Sequence, residues 1–112
     1  MWIFTTDGFF SAVADRDHAE MIVVRSRVRD DTARFAESVG FGVVVETPEA
    51  DYGFRVRAPR SSWVEYVAGA AKAIDYANFK AAIAVRQGAD RSHVYADVWS
   101  VMRALQAAEE RQ

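Results

Sequence analysis

No cysteine occurs in the 112 residues. Disulfides, thiol nucleophiles and thiolate metal sites are therefore excluded together, and a reducing, cytoplasmic setting is the expectation. No stretch approaches the roughly 18 consecutive apolar residues that a membrane span needs. The opening Met1-Trp2-Ile3-Phe4-Thr5-Thr6-Asp7 has no basic segment ahead of an apolar run that polar residues soon break, so neither a signal peptide nor a membrane partner is expected. Charge of one sign is also lacking: 14 Lys and Arg against 16 Asp and Glu leave a formal net charge of -2, which gives no long-range attraction to nucleic acid. A phosphate-binding glycine loop, a metal-ligand cluster and a nucleophile motif are absent as well. No catalytic residue, metal or cofactor is assigned, and a non-enzymatic role is favoured over an enzymatic one.

What the chain does contain is 51% hydrophobic and 12% aromatic residues, the make-up of one self-sufficient core over residues 1–112 that buries roughly 65% of the unfolded surface. Trp2 to Phe4 and Phe9 to Val13 are aromatic and β-branched runs, and Asp7-Gly8 between them is a favoured hairpin-turn pair. Met21 to Val28 has the β propensity of a third strand. Asp30-Asp31-Thr32 offers N-caps for a short helix from Ala33 to Val39, which Gly40 ends. Val43 to Val45 and Tyr52 to Ala58 read as two more strands around a turn containing Pro48, and Pro59 closes the second. Ser62-Trp63-Val64-Glu65 has capping-box spacing for a helix to about Ala73. Asp75 is the expected cap of a helix from Tyr76 to Arg86, and Asp90 or Ser92 of a last helix to about Gln106, with a frayed tail over residues 107–112.

The order β-β-β-α-β-β-α-α-α predicts an α+β fold, a mainly antiparallel five-stranded sheet with helices packed on one face. Val94, Val98, Val101 and Leu105 recur at helical spacing, as do Trp63, Tyr66, Val67, Ala70 and Ile74, so both stripes should face the sheet or neighbouring helices. Trp63, Trp99 and Met102 read as core.

The candidate binding residues come from period-two alternation. Arg25, Arg27 and Arg29 alternate with Val24, Ser26 and Val28, and Arg55 and Arg57 with Phe54, Val56 and Ala58. If the two strands are neighbours, these guanidiniums, joined by Arg60, gather on the sheet face away from the helices. Planar, bidentate donors of this kind suit carboxylate or phosphate. The competing reading is a solvated face neutralised by Glu46, Glu49 and Asp51. Nucleic-acid binding would further require base-stacking aromatics on that face; Tyr52 shares the parity of Arg55 only if a bulge at Gly53 intervenes, and Trp2, Phe4, Phe9 and Phe10 have no assignable face without a strand register.

A second constellation is Asp75, Tyr76, Lys80, His93, Tyr95 and Asp97, which antiparallel final helices would bring together as a small-molecule pocket or small active site. Its competing reading is a helix cap, surface lysine and surface hydrogen bond. His18 with Asp15 and Asp17 matches no standard zinc or calcium spacing and reads as a polar turn.

The segments Met1-Trp2-Ile3-Phe4 with Asp7-Gly8-Phe9, Val24-Arg25-Ser26-Arg27, Asp51-Tyr52-Gly53-Phe54-Arg55-Val56, Ile74-Asp75-Tyr76-Ala77-Asn78-Phe79-Lys80 and Val98-Trp99-Ser100-Val101-Met102 together resemble a family of short bacterial proteins, carried also by phages and other mobile elements, with no established activity. The resemblance spans nearly the whole chain and implies a complete small protein. By association it implies an adaptor or inhibitor, including the anti-defence type. The functional expectation is thus a protein-binding module that sets its arginine face against an acidic partner. A pocket in the helical cassette, nucleic-acid binding on the arginine face, and homodimerisation through a strand edge are the alternatives.

Overall fold

A computed structural model describes residues 1–111. The chain is α+β: a five-stranded antiparallel sheet and four helices. Its contacts divide it into two compact units, Met1–Ile74 and a second that begins at Asp75.

The first unit opens with strands β1 (Trp2–Thr5) and β2 (Gly8–Ala14), paired so that Trp2 faces Ser11 and Thr5 faces Gly8. Thr6 and Asp7 therefore form the turn, rather than Asp7 and Gly8. The Thr5 hydroxyl holds it, accepting from the Asp7 amide at 3.1 Å and donating to the Gly8 carbonyl at 3.2 Å. Gly8 is required for a different reason. A Cβ there would lie 2.4 Å from Cγ of Asp31, whose Oδ2 accepts from the Phe9 amide at 3.1 Å.

Strand β3 (Met21–Ser26) stops two residues short of the expected Val28. The Ser26 hydroxyl turns the chain by donating to the Val28 carbonyl at 2.6 Å, and helix α1 (Arg29–Val39) starts at once. Asp31 and Thr32, expected as caps, are instead buried inside α1, which has no side-chain cap. Arg34 pairs with Asp31 at 2.8 Å and donates to the Asp7 carbonyl at 2.6 Å, tying helix to hairpin. Gly40 ends α1 in the left-handed conformation at φ 66.

The expected strand at Val43 shrinks to β4 (Val45–Glu46), paired with the edge of β5 (Phe54–Pro59). Gly42 explains part of this: its φ is +98 and a Cβ would meet Val56 Cγ1 at 2.5 Å, so the chain approaches the sheet with glycine geometry and not as a strand. Helix α2 (Arg60–Lys72) begins two residues before the supposed capping box, with Pro59 at its N-cap. The Arg60 amide donates to the Glu20 carbonyl at 2.7 Å, which fixes this start.

The strand order is β1-β2-β3-β5-β4. Alternate residues Phe10, Ala12, Ile22, Val24, Val56 and Ala58 face the helices and form one buried cluster with Phe35 of α1 and Trp63 of α2. Phe35 and Trp63 meet edge to face at 5.6 Å. Tyr66 and Val67 pack against the cluster as the α2 stripe predicts, but Ile74 is exposed. Both helices thus cover one face of the sheet and leave the opposite parity outward.

The second unit contains α3 (Phe79–Gln87) and α4 (Ala89–Glu110), joined at Gly88. The cap of α3 is Asn78, whose side chain accepts from the Ala81 amide at 2.9 Å; Asp75 lies outside the helix. Helix α4 runs four residues past Gln106, so residues 107–110 are helical. Phe79 stacks on Tyr95 at 6.0 Å, and the Ser92 hydroxyl donates to the Lys80 carbonyl at 2.9 Å. The α4 stripe is exposed, against expectation, as are Trp99 and Met102.

Candidate anion-binding face

The open face of the sheet carries the parity opposite to the core. Because Ser11 faces Arg25, Arg25 faces Arg55 and Val45 faces Arg55, the register lines up Trp2, Ser11, Arg25, Arg55 and Val45 in one row across all five strands. Arg57 lies on the next row, opposite Val23. Arg27, just beyond β3, follows the same alternation.

Tyr52 organises two of the four guanidiniums. The loop between β4 and β5 folds back, with the Thr47 hydroxyl donating to the Tyr52 carbonyl at 3.1 Å, and leaves Tyr52 only 4% exposed. The guanidinium carbons of Arg25 and Arg27 lie 4.6 and 4.3 Å from its ring centroid, within cation–π range. Arg25 also donates to the Ser11 hydroxyl at 2.7 Å, while Arg27 donates to the Asp51 carbonyl at 2.8 Å and pairs with its carboxylate at 3.3 Å. That last pair is exposed on both sides and contributes about 0–1 kcal/mol.

Arg57 pairs with buried Asp15 at 3.1 Å. The Asp17 amide, 2.9 Å from Oδ1, is the main cause that holds the Asp15 carboxyl below its ordinary range; Arg57 and His18 add to it, against the cost of burial. A carboxyl so held is a poor general base. Arg55 stands directly opposite Arg25, and its buried Nε has no hydrogen-bond partner. Like charges opposed across strands are destabilising. Among the described residues, two carboxylates pair with these four guanidiniums, so positive charge is left uncompensated.

Aromatic rings occupy the other end of the same face. Phe4 stacks on Phe9 at 4.5 Å, and Trp2 meets Phe9 edge-on at 6.0 Å while remaining 72% exposed. Phe10 has the core parity and is buried.

Of the six expected arginines, Arg25, Arg27, Arg55 and Arg57 come together. Arg29 is the first residue of α1, and Arg60 the first of α2 with its guanidinium 3.4 Å from the Ala19 carbonyl, because both alternating runs end before them. Of the expected neutralising acids only Asp51 pairs here; Glu46 is level with Phe54 on the other parity, and Glu49 is exposed in the loop. Asp15 was missed, since nothing in a polar turn signals which strand it folds against.

In the second unit, Tyr76, Phe79 and Tyr95 form a row of rings, Lys80 Nζ lies 4.8 Å from the Trp99 ring centroid, and Arg91 donates to the Tyr95 hydroxyl at 3.3 Å. Asp75, His93 and Asp97 are exposed and lie outside this row. Among the described residues no group of three or more His, Asp or Glu is placed to hold a metal ion, and no helix is long and apolar enough to cross a membrane. No family model, no curated protein and no solved structure matches the chain.

Proposed function

We propose that the protein binds single-stranded nucleic acid across the open face of its sheet. The observation that carries this reading is the shared face itself: Trp2, Phe4 and Phe9 present rings at one end of the face that carries Arg25, Arg27, Arg55 and Arg57 at the other. Guanidiniums supply donors for phosphate, and rings accept stacked bases whatever the sequence. The slightly acidic whole molecule gives little long-range steering, so affinity rests on the local face and is modest. An acidic protein segment is the second reading, favoured by the carboxylates that already occupy Arg27 and Arg57.

Fluorescence anisotropy with a labelled oligothymidylate and with polyglutamate separates the two. Nucleic-acid binding predicts capture of the oligonucleotide with affinity that falls as salt rises. Trp2→Ala should weaken it by about 1–3 kcal/mol, or roughly 5–150-fold, without altering the circular dichroism. Polyglutamate binding that ignores Trp2→Ala transfers the face to an acidic protein partner. Absence of either ligand at low salt contradicts both readings.

A further inference from the structure

We infer that α4 is a self-association surface, and that two copies of the chain pair through it to form a four-helix arrangement with the two α3 helices outside. Val94, Val98, Val101, Leu105 and Ala108 recur at alternating spacings of four and three, which is the seam of a helix that packs along another helix by knobs into holes. The edge of α4 that meets α3 is a different one, marked by Ser92 under the Lys80 carbonyl, Tyr95 against Phe79, and Trp99 beneath Lys80.

The seam is open: Val101 is 71%, Leu105 64% and Val94 58% exposed. With Val98 and Met102 it presents on the order of 500 Å² of apolar surface, a large part of the roughly 800 Å² that each partner buries in a standard interface. Such an area is as large as the largest apolar patch of a typical monomer. Within the second unit, Ile83 and Tyr95 are the buried residues among those described, so the helical hairpin has little core of its own. Small helical units in that position are stabilised by oligomerisation. A second copy fits best because the stripe is continuous and uncharged from Val94 to Ala108, with exposed Asp97 and Glu109 at its margins, and matches itself under a two-fold axis.

The test is sedimentation equilibrium of the full chain over a broad concentration range. A reversible shift to twice the monomer mass is expected, and Val98→Glu with Leu105→Glu should abolish it while the sheet signal in circular dichroism is retained. Should that double variant unfold, single cysteines decide, since the natural chain has none. Oxidation should link copies through at least one of Val98→Cys, Val101→Cys and Leu105→Cys, and should not link Arg103→Cys on the opposite side of the helix. A monomer at every concentration, a dimer indifferent to the glutamates, or cross-linking confined to Arg103→Cys overturns the inference.

Discussion

In the first unit, eight buried apolar residues close into one cluster between sheet and helices; in the second, two buried residues hold a pair of helices whose longest apolar stripe is exposed. Both use the same alphabet, so the difference lies in what covers each periodic stripe. Strands β2, β3 and β5 have α1 and α2 over their apolar parity, and the opposite parity is left to arginines and aromatic rings. Within the second unit, helix α4 has α3 along one edge. One unit gains its order internally and spends its outer face on recognition; the other keeps apolar surface available for association.

The comparison breaks most severely at the core of the first unit. Phe35, fully buried against Phe10, Trp63 and Tyr66, should cost about 3–5 kcal/mol as Phe35→Ala, whereas Ile83→Ala should fall near 2 kcal/mol because its surroundings are thinner. Urea titration read by circular dichroism measures both.

Next comes the hairpin anchor. Gly8→Ala places a methyl into the Asp31 carboxylate and should cost about 1–3 kcal/mol. Combining it with Asp31→Ala removes the clash, so the double variant should be more stable than the sum of the single losses predicts. Strict additivity in that cycle contradicts the contact.

In the second unit, Asn78→Ala should cost about 1 kcal/mol and reduce helix content, while Asp75→Ala should change neither. Equal effects would return the cap to Asp75. The smallest expected effect is one of pH. The Asp15 carboxyl titrates below its unfolded value, so its contribution is present above the unfolded pKa and disappears as pH falls through the lower folded one. Asp15→Asn should therefore flatten the acid limb of the stability curve and leave its shape near neutrality unchanged.

The sequence discloses the sheet better than its ends. Alternation in Val23 to Ser26 and Phe54 to Ala58 correctly separates core parity from arginine parity, since a strand has only two faces. Arg29 continued that alternation on paper, but a hydroxyl bond from Ser26 stops the strand, and such a local choice leaves no periodic signal. Asp75 and Asn78 are both good caps, and only the backbone decides between them. The aromatic half of the face was invisible for a clearer reason: Trp2, Phe4 and Phe9 acquire a side only when β1 and β2 take their register. Helical spacing announced the α4 stripe without saying what lies on it.

Amide chemical-shift mapping of the full chain with an oligothymidylate tests the recognition face most directly. The account predicts perturbations at Trp2, Phe4, Phe9, Ser11, Arg25, Arg27, Arg55 and Arg57, with Phe35, Trp63 and the α1 surface unmoved. Shifts centred on α1, α2 or the second unit, or none at low salt, would contradict it.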